Sequence, residues 1–311
     1  MYFFKKLELK LKAKSKAEYK ELKRKYRAIE DFDSRMSEFV RRSLEVLPDI
    51  SKMPLNRTIN AKHSGHLGHI IYSTPAMKAF SGEHGVNLYL PLNQPISHEP
   101  GWSHPLGNVM FNSTIYRMAE PLLKAQPIIH SCSTQPPQVI DVDFDIFRKL
   151  PWSHHKGHIA RWHFLYYPGG FDLSKQWLSV PTVESVAKEG IVICRSQRYN
   201  APGIDYSFLR KYSEVYFLGL EAEYQILRQA IPSLTYVPVQ DFLQMASIIA
   251  GAKLFIGNQS APFAMAEGLK VNRLLETYFD CPNVIIEGDN GFEFCFQPQF
   301  ELLVKRRYEN F

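Results

Sequence analysis

The 311-residue chain has only four cysteines, Cys132, Cys194, Cys281 and Cys295, and no CxxC spacing. This argues against a disulfide framework or a four-cysteine zinc site and fits a reducing compartment. No run approaches the ~18 consecutive apolar residues of a membrane span. The most hydrophobic stretch, 242–257, is interrupted by Gln244, Ser247 and Lys253 and so reads as buried core. The opening MYFFKKLELK lacks the apolar block of a secretory signal, so a cytoplasmic protein is expected. GxGxxG and HExxH are both absent, and nothing repeats at solenoid periods.

Composition is that of a globular protein, with 45% apolar and 22% charged residues. The length suggests two domains. The net charge of +6 is unevenly spread. Residues 1–60 carry 16 Lys and Arg against 9 Asp and Glu, a balance of +7, while residues 61–311 sum to −1. Basicity therefore belongs to an N-terminal arm, which weakens any nucleic-acid reading of the body. In the arm, Phe4, Leu7 and Leu11 fall at helical spacing, as do Tyr19, Leu22, Tyr26 and Ile29, with Lys and Arg crowding the positions between 5 and 27. That pattern suits an amphipathic helix on an anionic membrane surface through residues 4–29; a solvated or partner-binding helix is the plainer alternative. Pro48 and Pro54 end it.

Beyond residue 190 the sequence alternates strand and helix. Strands are expected at 191–194, 215–218, 234–237, 253–256 and 273–276. Helices are expected near 205–212, 221–228, 242–251 (capped by Asp241) and 262–268. This spacing indicates a doubly wound parallel sheet. Residues 56–181 are less regular, with a strand into Lys62, a helix over 70–80, a strand at 86–90 and apolar segments at 127–132 and 139–147. They read as a second α/β domain with longer loops. The expected division is an arm at 1–55, an α/β domain at 56–182 and a Rossmann-like domain at 183–311.

Two loops could carry chemistry. In GHLGHIIYSTPAMKAF (65–80), Gly65 and Gly68 enter a helix and let backbone approach a ligand. In LFIGNQSAPFAMAEGLK (254–270), a buried strand ends in a polar loop, Asn258-Gln259-Ser260, before Ala261 and a helix opened by Pro262. The free N–H groups of that first turn favour a phosphate.

Together these loops, spanning roughly residues 60–290, resemble the bacterial heptosyltransferase group, glycosyltransferase family 9. The resemblance implies a GT-B fold: two Rossmann-like domains facing across a cleft, the C-terminal one binding a nucleotide-sugar donor and the N-terminal one a glycan or lipid-linked acceptor. The family's first loop, matched here around Gly65, Gly68 and Thr74, ends in an Asp that acts as base on the acceptor hydroxyl; this chain has His69 there. Its second loop has Asp-Ser/Thr-Gly where this chain has Gln259-Ser260-Ala261. The family's phosphate-binding basic residue is similar to Arg195 or Arg198, and its ribose-side acid to Glu221 or Glu223.

The expected activity is therefore metal-independent, cofactor-free and inverting sugar transfer at the inner face of a membrane, with no nucleic acid involved. An imidazole with an ordinary pKa near 6.5 can serve as base, His69 first and His66 second. Asp141, Asp143 and Asp145 form DxD pairs but read as a solvated strand face. All 11 histidines fall between His63 and His163. A metal-dependent hydrolase, with the sets 63/66/69 and 154/155/158/163 converging on zinc or iron, is a rival reading. Local hydrogen bonding or cleft lining is the plainer one. A nucleotide-sugar epimerase or hydrolase and a catalytically silent binding protein complete the alternatives. Trp152, Trp162, Phe164, Tyr166, Tyr167 and Trp177 read mainly as packing residues.

Overall fold

The computed structural model describes every residue except Met1, Lys52, Pro54, Asn56, 97–106, Ser185 and 310–311, and the side chains of Tyr2 and Phe3. The expected break at Pro54 and two histidines, His98 and His104, lie outside the described residues. The chain forms two compact units, one of residues 1–47 with 148–153, the other of 48–147 with 154–311.

The first unit is built on two helices, α1 (Tyr2–Lys12) and α2 (Lys16–Val46). The single helix expected over 4–29 is interrupted at 13–15 because Ser15 starts a new one. Its side chain accepts from Glu18 N–H at 3.1 Å while Lys14 N–H donates to the Glu18 carboxylate. Phe4 and Leu11 are exposed, whereas Tyr19, Leu22 and Tyr26 are half-buried, with the Lys5 ammonium 5.5 Å from the Tyr26 ring centre.

In the second unit, β1 (Ile59–Lys62), α3 (Leu67–Ser81), β2 (Val86–Tyr89), α4 (Ser113–Lys124), β3 (Ile129–Ser133) and β4 (Val142–Asp143) build a parallel sheet in the order β3-β2-β1-β4. A single helical turn, α5 (Ile159–Trp162), follows. Then β5 (Ile191–Cys194), β6 (Val215–Phe217), α6 (Glu221–Ala230), β7 (Thr235–Tyr236), α7 (Phe242–Gly251), β8 (Leu254–Asn258), α8 (Ala261–Leu269), β9 (Arg273–Glu276), β10 (Gly291–Phe294) and α9 (Gln297–Tyr308) complete the chain. The second sheet runs β10-β9-β8-β5-β6-β7, all parallel. Its central strands β5 and β8 are buried along their whole length, as a sheet covered on both faces requires. One core cluster there gathers Ile193, Phe217, Ile256, Leu274 and Phe300.

The caps are local. Asp241 accepts from Gln244 N–H at 2.8 Å and Asn112 from Ile115 N–H at 2.9 Å, each satisfying an otherwise orphaned donor. Between 207 and 211 the chain makes a short 3-10 turn rather than the expected α-helix. Asp205 captures the N–H and hydroxyl of Ser207 and fixes a tight turn at its start.

The three aspartates after β3 are not a solvated face. Asp145 is buried and accepts from Ser64 N–H at 3.1 Å and from the Ser64 hydroxyl, tying this segment to the loop before α3. Asp141 pairs with Arg57 and accepts from Asn60 N–H at 2.8 Å. Buried acceptors need donors, and the neighbouring strand supplies them. Trp162, Tyr166, Tyr167 and Trp177 are buried, as packing residues should be.

Candidate active site

Helices α3 and α8 meet through their first turns. A β-carbon at Gly68 would stand 3.6 Å from Ala261 Cα, so the two loops singled out in the sequence lie against each other. Gly65 just before α3 has φ +104°, and a side chain there would press on Met110 O at 3.0 Å; only glycine fits without strain.

Beside this contact is a cavity of about 490 Å³. His66, Gly68 and His69 line it from the first loop and Gln259, Ser260, Ala261 and Pro262 from the second. Arg198 enters from the loop after β5, and Glu221 and Glu223 from the start of α6. The remaining wall is largely apolar, with Ile115 and Met118 of α4 facing Pro238, Phe242 and Met245. A concave site lined by both charged and apolar side chains suits a ligand that carries both charge and a flat apolar group.

The His69 ring stacks on Phe147, with centroids 5.5 Å apart and planes at 22°, and stands 6.3 Å from the His66 ring. Ser260 caps α8: its Oγ accepts from Phe263 N–H at 3.4 Å and donates to Asn258 O at 3.0 Å. The Gln259 amide donates to Cys281 O and to Asn283 Oδ1 at 2.8 Å. Asn283 in turn donates to His154 O at 2.7 Å, so residues from both sheets' connections hold this loop.

The two candidate arginines differ. Arg195 does not line the cavity; it is engaged by Glu276 in a two-pronged pair, Nε to Oε2 at 2.7 Å and Nη2 to Oε1 at 2.8 Å. Burial opposes its charge, but Glu276 and Tyr206 outweigh it and its pKa rises. Arg198, 5.6 Å from the Tyr199 ring centre, faces the cavity, and there burial prevails over Tyr199 and Glu223 and lowers its pKa. A cation in that state gains most from an anionic ligand. Burial likewise raises the Glu223 carboxyl, against hydrogen bonds from Leu220 and Gln197 backbone and the attraction of Arg198.

Asn258, Gly65 and Thr74 support the site from outside the cavity wall. Asn258 is buried; its Oδ1 accepts from Ser196 N–H at 3.0 Å and its Nδ2 donates to Asn200 Oδ1 at 2.9 Å, which shapes the loop that carries Arg198. Thr74 turns its hydroxyl back to Ile70 O inside α3. Sequence reasoning missed Ser196, Tyr199, Tyr236 and Phe242 in the wall. Ser196 and Tyr199 follow the end of β5, Tyr236 ends β7 and Phe242 opens α7, and a place near a strand's C-terminal end is the signal that could have marked them.

Among the described residues no group of three or more His, Cys, Asp or Glu could hold a metal ion, although His63 of one histidine set and His163 of the other stand with ring centres 6.5 Å apart. His163 Nδ1 meets the Tyr166 hydroxyl at 2.6 Å, His154 Nε2 donates to Phe147 O, and His158 is buried. No helix among the described residues is long and apolar enough to cross a membrane.

No family model matches the chain, and no curated protein matches it by sequence. Solved structures do. E. coli ADP-heptose LPS heptosyltransferase II is 12% identical, with 82% of this chain and 99% of that one covered and a TM-score of 0.50. E. coli heptosyltransferase WaaC with ADP is 11% identical over 80% and 99%, with a TM-score of 0.47. A family 9 glycosyl transferase from Veillonella parvula DSM 2008 is 10% identical over 85% and 91%, with a TM-score of 0.43. The two parallel sheets and their helices thus form a heptosyltransferase-like α/β fold of the GT-B type.

Proposed function

We propose that the chain is a glycosyltransferase that moves a sugar, with inversion, from a nucleoside-diphosphate sugar to a glycan or lipid-linked acceptor. The observation that carries this reading is the meeting, in one cavity, of two histidines with Arg198 and the N-terminus of α8. Residues 183–311 bind the donor and residues 56–182 the acceptor. The matching fold belongs to a protein named for ADP-heptose; for this chain we extend only the donor class, a nucleoside-diphosphate sugar.

In this reading the donor diphosphate lies against the start of α8, at Ser260 and the Ala261 N–H, with Arg198 as counter-charge. Glu221 and Glu223 face the ribose, and the apolar side chains of α4 and α7 take the base. Arg195, committed to Glu276, holds the loop rather than the phosphate. The acceptor oxygen attacks the anomeric carbon as its proton passes to His69 and the bond to the diphosphate breaks. The departing charge is met by Arg198 and backbone N–H groups, so the scheme needs no metal. The basic arm at 4–29 attaches the enzyme to an anionic membrane surface on the cytoplasmic side.

The test is turnover with a panel of nucleotide sugars and a glycan acceptor. His69→Ala should abolish transfer and keep donor binding; full retained activity would remove His69 from the base role. A catalytically silent binding protein is the second reading, favoured by Gln259, whose amide nitrogen is spent on Cys281 and Asn283. It requires donor binding without turnover of any kind.

A further inference from the structure

The loop after β5 holds one residue in a conformation that its own side chain opposes. Tyr199 has φ +57°, in the left-handed region where a β-carbon crowds the following carbonyl and a bulky residue is an outlier. Its neighbours keep it there. On one side, the Arg198 carbonyl accepts from Asn258 Nδ2 and, at 3.2 Å, from the Ser196 hydroxyl. On the other, Asn200 Oδ1 accepts from the same Asn258 nitrogen at 2.9 Å, and Ala201 N–H donates to the buried Glu276 carboxylate at 2.7 Å. Strain of this kind persists only where surrounding contacts over-determine it, and it gathers at ligand sites.

The turn has a consequence for the cavity. In an extended chain, consecutive side chains point to opposite faces. Here Arg198 and Tyr199 both line the cavity, with the guanidinium carbon 5.6 Å from the ring centre, within cation–π range. The ring is itself braced by the Tyr278 ring, whose centre lies 6.2 Å away with the planes at 60°. Among the described residues no carboxylate forms an ion pair with Arg198, so the Tyr199 ring is the contact that orients this cation.

We infer that Tyr199 is a positioning residue for donor binding: its left-handed turn and its ring hold the Arg198 guanidinium toward the diphosphate. The inference rests on the reading that Arg198 meets the donor. It is tested by equilibrium titration of the full chain with ADP, UDP and GDP. Tyr199→Asn and Tyr199→Gly keep the left-handed turn and remove the ring. Each should weaken binding by about three- to tenfold, and Tyr199→Phe, which keeps the ring, should restore it. In an Arg198→Ala background, Tyr199→Asn should weaken binding no further, because its effect passes through the arginine; general damage to the fold would still add its own loss. Unchanged affinity in both ringless variants, or an equal loss with and without Arg198, would overturn the inference alone, provided that wild type binds and Arg198→Ala weakens it. Absence of nucleoside-diphosphate binding in wild type, or affinity indifferent to Arg198, would overturn both the inference and the reading beneath it.

Discussion

Arg195 reaches past strand β8 to Glu276 at the end of β9 and binds both of its carboxylate oxygens, at 2.7 and 2.8 Å. Glu276 is fully buried and also accepts from Ala201 N–H and the Tyr206 hydroxyl. The pair therefore fastens the loop 195–206 to the sheet, and Arg198 on that loop is left to face the cavity. Removing Arg195 strands a buried carboxylate, so Arg195→Ala should cost about 3–5 kcal/mol of stability. Arg198→Ala should leave the melting temperature almost unchanged and weaken nucleotide binding. Denaturant unfolding and nucleotide titration of both variants check the contrast.

His158 predicts an acid weakness. It is buried, neither ring nitrogen has a hydrogen-bond partner among the described residues, and its pKa falls from 6.5 to about 4. Burial dominates; the Glu287 carboxylate opposes it, and the cations Arg161 and Lys270 add to it. An unfolded chain takes up this proton near pH 6.5, while the folded one resists until about pH 4. Stability is thus full above 6.5 and declines as pH falls toward 4, by about 3 kcal/mol in all from this group. His158→Phe should flatten that part of the stability profile, measured by urea unfolding at pH 7 and pH 5.

Gly268 on α8 is hemmed in by the chain that returns from the first sheet. A β-carbon there would fall 2.8 Å from Leu178 Cβ and 2.9 Å from Trp177 Nε1, and the Gly268 carbonyl accepts from both residues' N–H groups at 3.0 Å. Gly268→Ala should therefore destabilise by about 1–3 kcal/mol, although alanine is the better helix former. Thermal unfolding of the variant decides which effect prevails.

Residues with one structural option were readable in the sequence. The run Ile191 to Cys194 is apolar throughout and forms a strand buried on both faces. Asp241 before an apolar face caps a helix as expected. Helix α4 was not foreseen, because Pro121 interrupts its pattern, although Asn112 and the spacing of Ile115, Ala119 and Leu122 were present as signals. Strand β10 and helix α9 were also missed; the strand is short and mostly exposed, so little alternation marks it. At the candidate site, His66, His69 and Gln259 to Pro262, bracketed in the sequence by glycine, proline and a cap, come together on one cavity wall. The apolar wall of Ile115, Met118, Pro238 and Phe242 comes from segments more than 100 residues apart, and only folding brings them together. The fates of Arg195 and Arg198 could not be separated without the position of Glu276, which lies 81 residues from Arg195.

The most direct test of the account is an equilibrium titration of the protein with ADP, UDP, GDP and CMP, in wild type and in Arg198→Ala. Charge-assisted hydrogen bonds are worth about 1.5–3 kcal/mol, so the account predicts that a nucleoside diphosphate binds and that Arg198→Ala weakens it by roughly ten- to a hundredfold. Absence of binding by every nucleotide, or affinity untouched by the loss of Arg198, would contradict it.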